Sequence, residues 1–113
     1  MLTLEALREW GADTSEGMTR CMNNEAFYLR MVGMIQKDTQ MEELEQALMQ
    51  GDLRKAFEKA HALKGVLANL ALKPALKPIS EMTELLRAST QMDYTPLLAE
   101  AKREMTALLA LMK

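Results

Sequence analysis

The chain has 113 residues, with 14 basic against 16 acidic side chains for a formal charge of −2, one histidine and one cysteine. That length supports a single domain around one modest core, and the lone cysteine excludes an internal disulfide and gives no sign of an oxidising compartment. The balanced charge, with no cluster of lysine or arginine, argues against a nucleic-acid partner.

Apolar residues make up 49% of the chain but aromatic ones only 4%, and β-branched residues are few, a composition that favours helices throughout. Residues 2–10 form a short amphipathic segment stopped by Gly11, and Asp13 or Thr14 caps a second short helix reaching about Cys21. These two read as a lid on a bundle. Glu5, Arg8 and Glu9 stand among the apolar residues of that first segment, unlike a secretory signal, and the longest apolar run, residues 107–112, is far too short to span a membrane. A cytoplasmic protein without a membrane partner is expected.

From Asn24 the apolar positions Phe27, Met31, Met34, Met41, Leu44 and Leu48 recur in steps of three and four, interrupted at Asp38, which predicts a long helix broken near residues 37–39. Gly51-Asp52 is a tight turn with Asp52 as N-cap of the next helix. That helix buries the stripe Leu53, Ala56, Ala60, Leu63, Leu67 and Leu70 and is expected to end near Leu72. Pro74 suits a helix start, whereas Pro78 suits only a first turn or a kink. Ile79, Met82, Leu85 and Leu86 mark one face of a helix to about Ser89. Thr95 as cap with Pro96 behind it opens a last helix that buries Leu97, Leu98, Ala101, Met105, Leu108, Leu109 and Met112. Short connections imply antiparallel neighbours, so the fold predicted is all-α: an up-and-down four-helix bundle over residues 23–113 with short helices over residues 1–22, in one domain spanning 1–113. The 11 methionines are scattered over every predicted helix with no second histidine nearby, so they read as adaptable core filler, and no metal site is expected.

The one histidine, His61, lies in Ala60-His61-Ala62-Leu63-Lys64-Gly65. On a helix His61, Lys64 and Gly65 share one face, presenting an imidazole, a fixed positive charge and bare backbone together, a combination suited to a phosphoryl group. His61 falls well off the apolar stripe and is expected to be exposed. Its neighbours at four-residue spacing and beyond are Phe57, Gly65, Ala68 and Leu72, a small, mostly apolar, uncharged surface suited to a docking partner. Gly65 costs ~1 kcal/mol relative to alanine inside a helix, and clearing the approach of a large partner to His61 would offset that cost.

The run from Gly51 to Leu70, with His61-Ala62-Leu63-Lys64-Gly65 at its centre, resembles the signature of histidine phosphotransfer (HPt) domains. Gly11-Ala12-Asp13, residues 23–28 and Leu85-Leu86-Arg87 also fit that family's layout. Two positions depart from it: Leu67 stands where a serine or alanine is common, and Ala71 where a glycine is. Leu67 lies on the apolar stripe, and alanine at 71 is still small enough for close approach. The resemblance implies that His61 accepts a phosphoryl group from an aspartyl phosphate on a receiver domain, of a response regulator or a hybrid histidine kinase, and passes it to another receiver in a two-component phosphorelay. Lys64 would neutralise phosphoryl charge. Where the family often carries a polar Gln or Glu facing the histidine stands Thr83, whose hydroxyl could orient the imidazole. No cofactor is expected on this chain, the Mg²⁺ ion belonging to the partner receiver.

None of the five glycines forms a phosphate-cradling loop, and no Walker lysine, kinase signature or zinc spacing is present, so the chain reads as a phosphocarrier and not an enzyme. Two alternatives compete with that reading. One is a module of the same fold that binds a receiver or kinase without carrying phosphate, and it does not need His61, Lys64 and Gly65 together. The other is an enzyme with His61 as general base, and it requires a concave pocket and a partnering carboxylate.

Overall fold

The computed structural model describes all 113 residues. It contains seven α-helices: α1 (Leu4–Trp10), α2 (Thr14–Arg20), α3 (Glu25–Gly33), α4 (Gln40–Met49), α5 (Leu53–Asn69), α6 (Lys73–Arg87) and α7 (Thr95–Ala110), with a 3₁₀ turn (Met34–Lys37) between α3 and α4. The break expected near residues 37–39 lies between that turn and α4. Asp38 there has extended backbone (φ −79°, ψ 129°), and its carboxylate accepts from the Gln40 amide at 2.7 Å.

Helix starts follow side-chain caps. Thr3, Asp13, Asn24 and Asp52 each accept a hydrogen bond from the backbone N–H three residues on, at 3.0 to 3.1 Å, satisfying donors that have no partner within the helix. The last helix starts one residue differently from expectation. Thr95 is already helical and makes no cap; Asp93 instead accepts from the Thr95 amide at 2.9 Å, and the Thr95 side chain, with that amide second, holds the Asp93 carboxyl below its ordinary range.

Helix stops share one device. The ends of α4, α5 and α6 each fold back through a paired hydrogen bond, such as Leu72 N–H to Leu67 O at 3.0 Å and Ala71 N–H to Ala68 O at 3.1 Å after α5, with the turning residue in the left-handed region. Gly51 fills that role after α4 at φ 72°, but Ala71 and Ser89 fill it after α5 and α6 at φ 56° and 55°. Ala71 is fully buried. It is therefore a turn residue and not part of an approach surface, and the glycine common there in the resembling family suits the backbone. α5 stops at Asn69 and not near Leu72, because the chain has already reversed.

The long helices α4 to α7 pack in sequence order, α5 between α4 and α6, and α6 between α5 and α7. With α3 and the 3₁₀ turn preceding α4, this is the antiparallel helical bundle expected. Its core contains Leu44, Ala47, Ala56, Ala60, Leu63, Leu67, Ile79, Met82, Leu86, Ala101 and Leu108. Alanines at 56 and 60 let α5 approach its neighbours closely. Pro78 lies inside α6, beyond its first turn. It cannot donate to the Pro74 carbonyl, and its buried ring is retained as core packing. Leu109, expected inside, is 37% exposed, and the methionines are not uniformly core filler: Met1, Met22 and Met49 are at least 80% exposed, while Met82 is fully buried.

α1 and α2 form the lid. Trp10 donates to Glu104 of α7 at 3.1 Å, and the Asp13 amide donates to the Ala71 carbonyl at 2.9 Å. Beneath α2, the buried Tyr28 hydroxyl donates to the Leu70 carbonyl at 2.9 Å. A Cβ on Gly17 would lie 2.5 Å from the Tyr28 ring and 2.8 Å from that same carbonyl, so only glycine lets α2 sit this close. The Asp13, Tyr28 and Gly17 contacts fix the end of α5, while the Trp10 bond ties α1 to α7.

Burial pushes the Tyr28 phenol up from 10.0 to about 12. Because the folded state holds this proton more tightly than the unfolded state, the stabilisation is whole below about pH 10 and lost as pH rises through about 12, with a ceiling of ~2.7 kcal/mol from two pKa units. Tyr28→Phe is expected to be less stable by ~1–3 kcal/mol at neutral pH. Denaturant unfolding between pH 9 and 12 should then show a smaller alkaline loss in Tyr28→Phe than in the parent. Equal losses in the two proteins would remove Tyr28 as the cause.

Candidate functional site

α5 carries the site. Asp52 fixes its first turn, and the buried stripe Ala56, Ala60, Leu63 and Leu67 fixes its rotation. That rotation leaves His61, Ala62 and Gly65 exposed and Phe57, Lys64 and Ala68 partly exposed. The rings of Phe57 and His61 stack, with centroids 5.5 Å apart and planes 17° from parallel. One helical turn separates these residues, so α5 itself sets the pairing.

Gly65 has open space around it: an added Cβ would meet nothing within 4 Å. Its φ is ordinary for a helix, so neither backbone conformation nor packing within this chain requires glycine there. The ~1 kcal/mol helix cost is therefore not offset inside the molecule.

Leu72 does not belong to this surface. It is fully buried, because the chain leaves α5 three residues earlier and turns inward. Thr83 is not a histidine-orienting residue either. It is fully buried, and its hydroxyl donates to the Ile79 carbonyl one turn back at 2.7 Å. The spacing Ile79, Met82, Thr83, Leu86 carries the signal: it places Thr83 within the buried stripe of α6, away from the rim.

The rim positions of α6 are Glu84 and Arg87, and they make the surface around His61 more charged than the sequence suggested. Lys64 Nζ lies 3.3 Å from Glu84 Oε2. Arg87 donates to the same carboxylate through Nε at 3.3 Å and through its terminal amino group at 3.4 Å. The Arg87 guanidinium also sits 5.0 Å from the Phe57 ring centroid, a cation–π contact. Arg87 and Lys64 hold the Glu84 carboxyl below its ordinary range, the arginine bond contributing most. His61, Phe57, Arg87, Glu84 and Lys64 thus form one chain of contacts. The other cation near the middle of α5, Lys59, is occupied at 2.8 Å by Glu43 of α4.

Beyond the site, Arg20 of α2 donates to the Ala68 carbonyl at 3.4 Å, a favourable charge at the C-terminal end of α5. None of the five principal surface clefts includes His61. No three His, Cys, Asp or Glu side chains converge where they could hold a metal ion. The imidazole stands on a helix surface open to a macromolecule.

A family model described as the Hpt domain matches residues 36–111. The chain belongs to the Hpt domain family. The matched stretch runs from the 3₁₀ turn through α7 and contains the whole His61 surface, while α1, α2 and α3 lie before it. No curated protein and no solved structure matches the chain. Hpt domains are phosphocarriers of phosphorelays that interact with receiver domains, and no helix of this Hpt domain is long and apolar enough to cross a membrane.

Proposed function

We propose that this Hpt domain accepts a phosphoryl group on His61 from the aspartyl phosphate of a receiver domain and passes it to a second receiver. The observation that carries the reading is an exposed imidazole one turn from a helical glycine that nothing inside the chain requires. A phosphodonor bound to a protein must bring an entire surface to the histidine, and open backbone at Gly65 admits it.

The transfer balances simply. A ring nitrogen of neutral His61 attacks phosphorus, the new N–P bond forms as the P–O bond breaks, and the aspartyl carboxylate leaves with the bonding electron pair. The proton on the other ring nitrogen passes to solvent. Reversal delivers the phosphoryl group to a second receiver carboxylate. Positioning and charge neutralisation dominate such a step. Phe57 steadies the imidazole by stacking. Lys64 supplies one positive charge, and Gly65 and Ala68 form the docking surface. The Mg²⁺ ion is assigned to the receiver, and a cytoplasmic location is the setting such partners imply.

The test is a relay: labelled phosphate on one purified receiver should move to this chain and then to a second receiver. Label that never appears on the chain, with receivers from the same organism, would refute the proposal. Lys64→Ala should slow acceptance severalfold without abolishing it, since the receiver contributes other charges. An unchanged rate at low and moderate salt would reduce Lys64 to a surface charge.

A further inference from the structure

Two cations of the His61 surface, Lys64 one turn along α5 and Arg87 across Phe57, are both tied to one carboxylate. Glu84 bonds Lys64 from α5 and Arg87 from its own helix, and Arg87 in turn rests on the Phe57 ring that stacks against the imidazole. Glu84 is the only acidic residue in this chain of contacts. All three charged side chains retain solvent access, with Lys64 31%, Glu84 56% and Arg87 51% exposed, so each is free to exchange partners.

We infer that Glu84 is a positioning residue that withholds Lys64 and Arg87 from the phosphorylation site until a phosphoryl group arrives to compete for them. This rests on His61 being the phosphorylated residue. A carboxylate carries one negative charge, whereas a phosphoryl group near neutral pH carries about 1.5 to 2, together with three strong acceptor oxygens. Lys64 is one turn from His61 on α5, and Arg87 reaches the same surface across Phe57. A phosphoryl group on the imidazole therefore outcompetes Glu84 for both. The exchange lowers the net gain from each cation, because an existing ion pair must open first. Glu84 thereby keeps the phosphohistidine from being overstabilised, which suits a carrier that must give its cargo away. Arg87 becomes a second charge-stabilising group beside Lys64.

The purified full chain is phosphorylated with phosphoramidate, an anionic small donor. Its P–N bond breaks with loss of ammonia as the N–P bond to His61 forms, so no receiver docking enters. Glu84→Gln should raise the phosphorylation rate about two- to fivefold at low ionic strength, the range for one exposed ion pair. The gain should fall toward unity near ~0.5 M salt, where screening is short-ranged. In a Lys64→Ala/Arg87→Gln background the same substitution should have no effect, since no cation remains to release. An unchanged or slower rate in Glu84→Gln overturns the inference, as does a gain that persists in the double-variant background or at high salt. A parent chain that takes no phosphate at His61 overturns the phosphocarrier reading and this inference together. A parent phosphorylated at the Glu84→Gln rate overturns the inference alone.

Discussion

A His61→Gln variant is expected to fold as the parent does and to accept no phosphate. His61 is exposed, its imidazole makes no hydrogen bond within the chain, and its ring stacks on Phe57. Exposed aromatic stacking is worth ~0.5–1.5 kcal/mol at most, so thermal unfolding should shift by about 6 °C or less for a domain of this size. Transfer should fall below detection, because the chain has no second histidine and glutamine has no nucleophilic nitrogen lone pair. Residual transfer at more than a small percentage of the parent rate would place the acceptor elsewhere.

Substitution of Gly65 should separate stability from docking. Gly65→Ala is expected to stabilise the free chain by up to ~1 kcal/mol, since the added methyl meets nothing within 4 Å and alanine is the better helix former. Gly65→Leu should also fold, its side chain projecting into solvent beside His61. There it occupies the path of a docking receiver, and receiver transfer should drop by tenfold or more, the effect of losing ~1.4 kcal/mol or more of docking energy. Phosphorylation by a small donor should be largely spared in the same variant. Undiminished receiver transfer in Gly65→Leu would show that the docking surface does not pass over this position.

The elements of the bundle were legible because each rests on a local rule. Asp52 and Gly51 mark a start and a stop through one cap and one left-handed turn, and the α5 stripe marks its buried face through spacing alone. His61 and Gly65 were legible for the converse reason: each is a residue that burial and helix propensity give no cause to place where it stands. Leu72 is misplaced by periodicity alone, because the four-residue spacing runs on past the point where the chain turns. Ala71 is not a residue expected at positive φ, so the stop it makes is invisible to a search for glycine. The pairing of Thr83 with the histidine rests on resemblance, while its own spacing with Ile79, Met82 and Leu86 puts it in the core. The Glu84 link between Lys64 and Arg87 depends on how α5 and α6 are set side by side, and a register between two helices is written in neither helix alone.

The most direct measurement locates the phosphate. The full chain is incubated with a purified, acetyl-phosphate-charged receiver domain and Mg²⁺, then split and analysed for both bond chemistry and position. Phosphate that is lost in acid, retained in base and confined to the peptide containing His61 is the result predicted. Phosphate on an aspartate, serine or threonine of this chain, or a receiver that binds and keeps its phosphate, would contradict it.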